Sequence, residues 1–146
     1  MWHRIFDDVE TFTNKVIWTE YGGHCPSNVY YKLTLPQHLL EQGSDIFLSI
    51  EEEFRKPPQK ERFSFIREDD GNYMLYDNET RYRIQIALEP KFGGIIFHLF
   101  TKTRPKILID VMTIFLDVLH ITEPEIGAYK TRFDGKPYTP IERFPP

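Results

Sequence analysis

The sequence predicts an α+β domain in which an antiparallel sheet of four to five strands packs against one long helix in the C-terminal half. Three observations carry this. Between Glu61 and Phe100 four strand-like runs follow one another: Glu61 to Arg67, Tyr73 to Tyr76, Thr80 to Glu89 and Ile95 to Phe100. The links between them, Asp69-Asp70-Gly71-Asn72, Asp77-Asn78-Glu79 and Pro90 with Gly93-Gly94, are turn chemistry and too short for crossovers, so the runs form an antiparallel meander. From Thr103 to His120 the period then changes to that of a helix with one narrow polar stripe.

In chain order, residues 1–27 are the least regular. Phe12, Val16 and Trp18 share one parity, as in a strand over Phe12 to Trp18, and Tyr21-Gly22-Gly23 ends it. Asn28 to Leu35 is rich in β-branched and aromatic residues and reads as a strand closed by Pro36. Pro36 suits the first turn of a short helix, Gln37 to Gln42, stopped by Gly43. Ser44-Asp45 resembles an N-cap for Ile46 to Lys56. There Ile46, Leu48 and Ile50 alternate, but the spacing of Phe47, Ile50 and Phe54 favours a helix, ended by Pro57-Pro58.

In the meander Phe63 and Phe65 oppose Arg62 and Ser64, and Tyr82, Ile84, Ile86 and Leu88 oppose Arg81, Arg83, Gln85 and Glu89. Ile95 to Phe100 is apolar on both parities apart from His98, the pattern of a central strand covered on both sides. Pro105 sits in the first turn of the long helix, whose stripe is Lys106, Asp110, Thr113 and Asp117. Residues 1–122 are thus expected to form one domain. Residues 123–146, with five of the 11 prolines, are expected as an extended arm lying on the domain or on a partner, with one turn at Pro140 to Arg143.

At 146 residues the chain can bury roughly 68–70 % of its unfolded surface and needs no metal or disulfide to fold. Its 12 Phe, 8 Tyr and 2 Trp are more than a core of this size hides, so some are expected at the surface as binding anchors. A net charge of -4 suits nucleic acid poorly. The single Cys25 fits a reducing compartment. The N-terminal stretch carries Asp7, Asp8 and Glu10 and lacks the apolar core of a signal peptide. The apolar run Ile107 to Leu119 is too short and too polar to span a bilayer. A soluble, cytoplasmic protein without membrane contact is expected.

No catalytic signature, phosphate-cradling loop or cofactor motif emerges, and His3, His24, His38, His98 and His120 have no zinc-site spacing. Cys25, beside His24, lacks any sign of a positioned base and reads as a small hydrophobe. Acidic groups at Glu51, Glu52, Glu53, Asp69 and Asp70 suit a basic protein partner. The first expectation is therefore a non-catalytic protein-binding module, of the kind an inhibitor, an adaptor or an immunity protein represents. The alternative is a ligand-binding domain or enzyme for a phosphate- or carboxylate-bearing small molecule. Lys102, Arg104 and Lys106 would hold the anion at a helix N-terminus, and His98 would act as acid–base group in a pocket between sheet and helix. A third expectation is an assembly subunit gripping a neighbour through residues 123–146.

Overall fold

The computed structural model describes residues 3–16, 29–100, 104–131 and 138–146. They form an α+β fold with a seven-stranded antiparallel sheet and five α-helices. The elements run α1 (His3–Lys15), β1 (Val29–Thr34), α2 (Gln37–Leu40), α3 (Ile46–Phe54), α4 (Gln59–Arg62), β2 (Phe63–Arg67), β3 (Tyr73–Asp77), β4 (Arg83–Glu89), β5 (Gly94–Leu99), α5 (Pro105–Leu119), β6 (Ile126–Lys130) and β7 (Thr139–Phe144). The strand order is β2-β3-β4-β5-β1-β6-β7. The expected meander is β2 to β5. The expected strand β1 makes five, and two further strands enlarge the sheet to seven. β1 inserts beside β5, pairing Tyr30 with His98 and Leu33 with Ile95. Residues 123–146 contribute β6, paired with β1, and β7, paired with β6, and Pro140 to Arg143 lie in strand rather than in a turn.

The N-terminal segment also differs from expectation. Residues 3–15 are helical, because Phe6, Val9, Thr13 and Val16 repeat at three and four and bury one face. Phe12 meets Phe144 edge-on with ring centroids 5.6 Å apart, joining α1 to the last strand. α3 is helical, as the Phe47, Ile50, Phe54 spacing requires, and buries those residues with Ile46. α5 buries Ile107, Leu108, Val111, Met112, Phe115, Leu116 and Leu119, and its polar stripe stays outside.

All three longer helices cover one face of the sheet. The core between the layers is built from Tyr31 and Leu33 of β1, Leu75 of β3, Ile84 and Ile86 of β4, Ile95, Phe97 and Leu99 of β5, and the inner sides of α3 and α5. Phe115 is its hub, with ring centroids 5.2 Å from Phe97, 6.2 Å from Phe65 and 6.4 Å from Phe54. Two tyrosines enter this apolar layer with their hydroxyls satisfied. Thr13 donates to the Val9 carbonyl at 2.6 Å, so the Tyr31 hydroxyl donates to Thr13 Oγ1 at 2.5 Å. Tyr73 donates to Glu51 at 2.8 Å. Among the described residues no helix is long and apolar enough to cross a membrane.

Candidate functional site

Alternation along each strand sends every second side chain to the face without helices. The registers align six of them in one row across the sheet: Ile66, Met74, Gln85, His98, Tyr30 and Tyr129. Around the centre of this row the rings pack on one another. Tyr30 stacks on His98 with centroids 4.4 Å apart and planes 22° apart, and His98 lies 4.9 Å from Phe100. The Arg83 guanidinium sits 4.4 Å from the Phe100 ring. On the other side Tyr138 stacks on Phe92 at 4.6 Å and meets Tyr30 edge-on at 5.6 Å. Phe92 also meets Tyr129 edge-on at 4.8 Å.

Lys32 anchors this second group. Its ammonium donates to the Phe92 carbonyl at 3.1 Å and lies 4.3 Å from the Phe92 ring centroid. Gly127, opposite Lys32 in register, is glycine for a packing reason: a Cβ there would stand 2.6 Å from Cε2 of Tyr129, whose ring folds down over the bare backbone. Beneath the rings Ile96 and Met74 are buried although they lie outside the helix-side core. Burial, then the nearby charge of Glu89, then Tyr30 push the Tyr138 phenol up from its ordinary value. The face is therefore aromatic and carries cations at Lys32 and Arg83.

The acidic residues singled out from the sequence occupy a different region. Glu51 accepts the Tyr73 hydrogen bond. Burial first, and then the bond and charge of Glu51, push the Tyr73 phenol up to about 12, with Arg67 opposing. Because Tyr73 follows the β2–β3 turn directly, this bond brings α3 and the Asp69-Asp70 turn to the same end of the sheet. Glu53 accepts from Gln59 Nε2 at 2.9 Å, and Asp70 accepts the Asn72 N–H at 2.9 Å, fixing the turn. Glu52 and Asp69 are exposed.

The cationic residues are not gathered into one pocket. Arg104 and Lys106 are exposed at the start of α5, which lies on the helix side, and His98 is on the opposite face of the sheet. The space between sheet and helix is filled by core side chains such as Phe97 and Phe115. Lys102, Cys25 and His24 lie outside the described residues. The described residues line shallow grooves. Two, of about 260 and 350 Å³, adjoin between α3, α4 and α5 and share Gln59 and Ile114. The Arg62–Asp110 ion pair, 2.7 Å, closes one side of the first. Among the described residues no group of three His, Cys, Asp or Glu side chains is arranged to hold a metal ion.

No protein-family model, curated protein or solved structure matches this chain.

Reading the sequence missed Tyr30, Lys32, Tyr129 and Tyr138 as a group. The available signal was aromatic residues on both parities of β1 and a lone imidazole on β5, which together mark a sheet whose second face is aromatic rather than wet.

Proposed function

We propose that this protein is a non-catalytic protein-binding module that contacts its partner through the open face of the sheet. The observation that supports it is the aromatic row centred on Tyr30 and His98, uncovered by any described helix and flanked by Lys32 and Arg83. Tyr, Met and Arg are the residue types enriched in interface cores, and rings held by neighbouring rings lose little freedom on binding. Exposed acidic groups, Glu52 on the groove between α3 and α5 and Asp69 and Asp70 at the β2–β3 turn, add an electrostatic term suited to a basic region of the same partner. An inhibitor or immunity-type protein acts in this manner, by occupying a surface.

The test is affinity capture from the native lysate at low and high salt, comparing the unmodified protein with a Tyr30→Ala/Tyr129→Ala variant and a Glu52→Lys/Asp69→Lys variant. A stoichiometric partner held by the unmodified protein should be lost with the tyrosine variant at either salt. With the charge-reversed variant it should be weakened mainly at low salt, where the charges are least screened. A partner retained equally by the folded tyrosine variant would remove the open face from the interaction.

A further inference from the structure

The two edges of the sheet are built differently. β7 carries Pro140 and a register shift opposite Ala128 and Tyr129, devices that spoil an edge for further pairing. β2, Phe-Ser-Phe-Ile-Arg, has neither. The hydrogen bonds bracketing its ladder are Asn78 N–H to the Arg62 carbonyl and Glu68 N–H to the Asn72 carbonyl, each 2.8 Å. Alternation therefore turns the backbone groups of Arg62, Ser64, Ile66 and Glu68 toward β3 and those of Phe63, Phe65 and Arg67 outward. One of these is used: the Phe63 N–H bonds the Gln59 carbonyl at the end of α4. The Phe63 carbonyl, both groups of Phe65 and the Arg67 N–H remain pointed off the edge.

Exposed hydrophobics point to the same place. Among the described residues the exposed large apolar side chains are Leu48, 63 % exposed, and Ile66, 49 % exposed. Ile66 flanks the β2 edge on the open side. α3 runs along β2, with Phe47 on Phe65 and Tyr73 and with Phe54 on Phe63 and Phe65. Ser49 and Glu53 line the groove toward α5. Leu48, Glu51 and Arg55, at spacings of three and four, hence occupy the flank of α3 above the β2 edge.

We propose that a second copy of this chain covers this edge, the two β2 strands pairing antiparallel about a two-fold axis at Phe65. The register is self-complementary. It makes two reciprocal Phe65 bonds and two from Arg67 N–H to the Phe63 carbonyl of the other copy, and it leaves the Phe63 N–H where it already is. It places Arg67 opposite Phe63 of the second copy in register and the two Ile66 side chains diagonally together. α3 straddles β2 and β3, so the two α3 helices stand about two strand spacings apart, roughly 10 Å, which is helix-packing distance. Their antiparallel flanks, each carrying Leu48, Glu51 and Arg55, face one another across the axis. An isologous interface of this kind closes at two copies.

Sedimentation equilibrium on the full chain tests it. The expected mass is about twice 17.5 kDa. Arg67→Pro removes an outward N–H and an exposed side chain, and Leu48→Glu/Ile66→Lys alters only exposed side chains. Each should weaken dimerisation by at least roughly tenfold while keeping the circular dichroism and cooperative unfolding of the unmodified protein. A monomer up to the solubility limit overturns the proposal. So does a dimer that persists undiminished in either folded variant, because the contact then lies elsewhere.

Discussion

On the helix side of the sheet, Phe54, Phe65, Phe97 and Phe115 meet at centroid distances from 4.9 to 6.4 Å in a layer closed by α3 and α5. On the open side Tyr30, His98, Phe100, Phe92, Tyr129 and Tyr138 meet at 4.4 to 5.6 Å, equally close, with no described helix above them. The ring contacts alone do not separate the two layers. Their polar atoms do. The covered layer consists of phenylalanines and of two tyrosines whose hydroxyls are bonded to Thr13 and Glu51. The open layer carries cations, Lys32 and Arg83, held against ring faces. Burial without polar handles specifies a fold; burial with them leaves groups for recognition.

The comparison breaks first, if it breaks, at Phe115. Phe115→Ala empties the centre of the covered layer and should cost about 3–5 kcal/mol, read as a large drop in the urea midpoint. Tyr30→Ala on the open face loses ring contacts worth about 0.5–1.5 kcal/mol beyond area, and its site collapses toward solvent rather than leaving a cavity. Equal losses at the two positions would mean that the open face is a second core.

The same contrast explains what was legible beforehand. β2 to β5 and α5 could be read directly, because their alternation, turn residues and helical stripe are local signals. β6 and β7 could not: Gly127 and Ala128 carry little strand signal, Pro140 argues against one, and their partner β1 lies roughly a hundred residues earlier. α1 was obscured because Phe12 and Val16, four apart, satisfy a strand parity and a helical turn alike. For the site, acidic clusters stand out in sequence, yet Glu51, Glu53 and Asp70 bond within the fold. Tyr30, Tyr129 and Tyr138 are scattered along the chain, and only the strand order and the turn at Phe92 bring them together.

Tyr73 gives the next largest effect and adds a pH axis. Its bond to the half-buried Glu51 is charge-assisted and worth about 1.5 kcal/mol, which Tyr73→Phe should remove at neutral pH. The phenol titrates at about 12 in the folded protein against an ordinary 10.0. A raised value means the folded state holds its proton more tightly. The associated stability is complete below pH 10 and disappears as pH rises toward 12. Unfolding measured between pH 9 and 12 should therefore show a decline in the unmodified protein that is shallower in Tyr73→Phe. Parallel curves would place the shift outside this residue.

The smallest expected differences are the most discriminating. Tyr31 and Tyr30 are neighbours on β1 pointing to opposite faces, so removing each hydroxyl compares the layers at one backbone position. Tyr31→Phe deletes a buried bond to Thr13 and should cost about 1 kcal/mol. It leaves Thr13 still bonded to the Val9 carbonyl. The Tyr30 hydroxyl has no hydrogen-bond partner among the described residues, and its ring remains stacked on His98 in Tyr30→Phe. That substitution should change stability by less than about 0.5 kcal/mol. Any larger consequence should then appear in partner binding, because a hydroxyl without a hydrogen-bond partner among the described residues is available to a partner. A Tyr30→Phe variant as destabilised as Tyr31→Phe would instead make both layers structural and take the open face out of consideration as the binding surface.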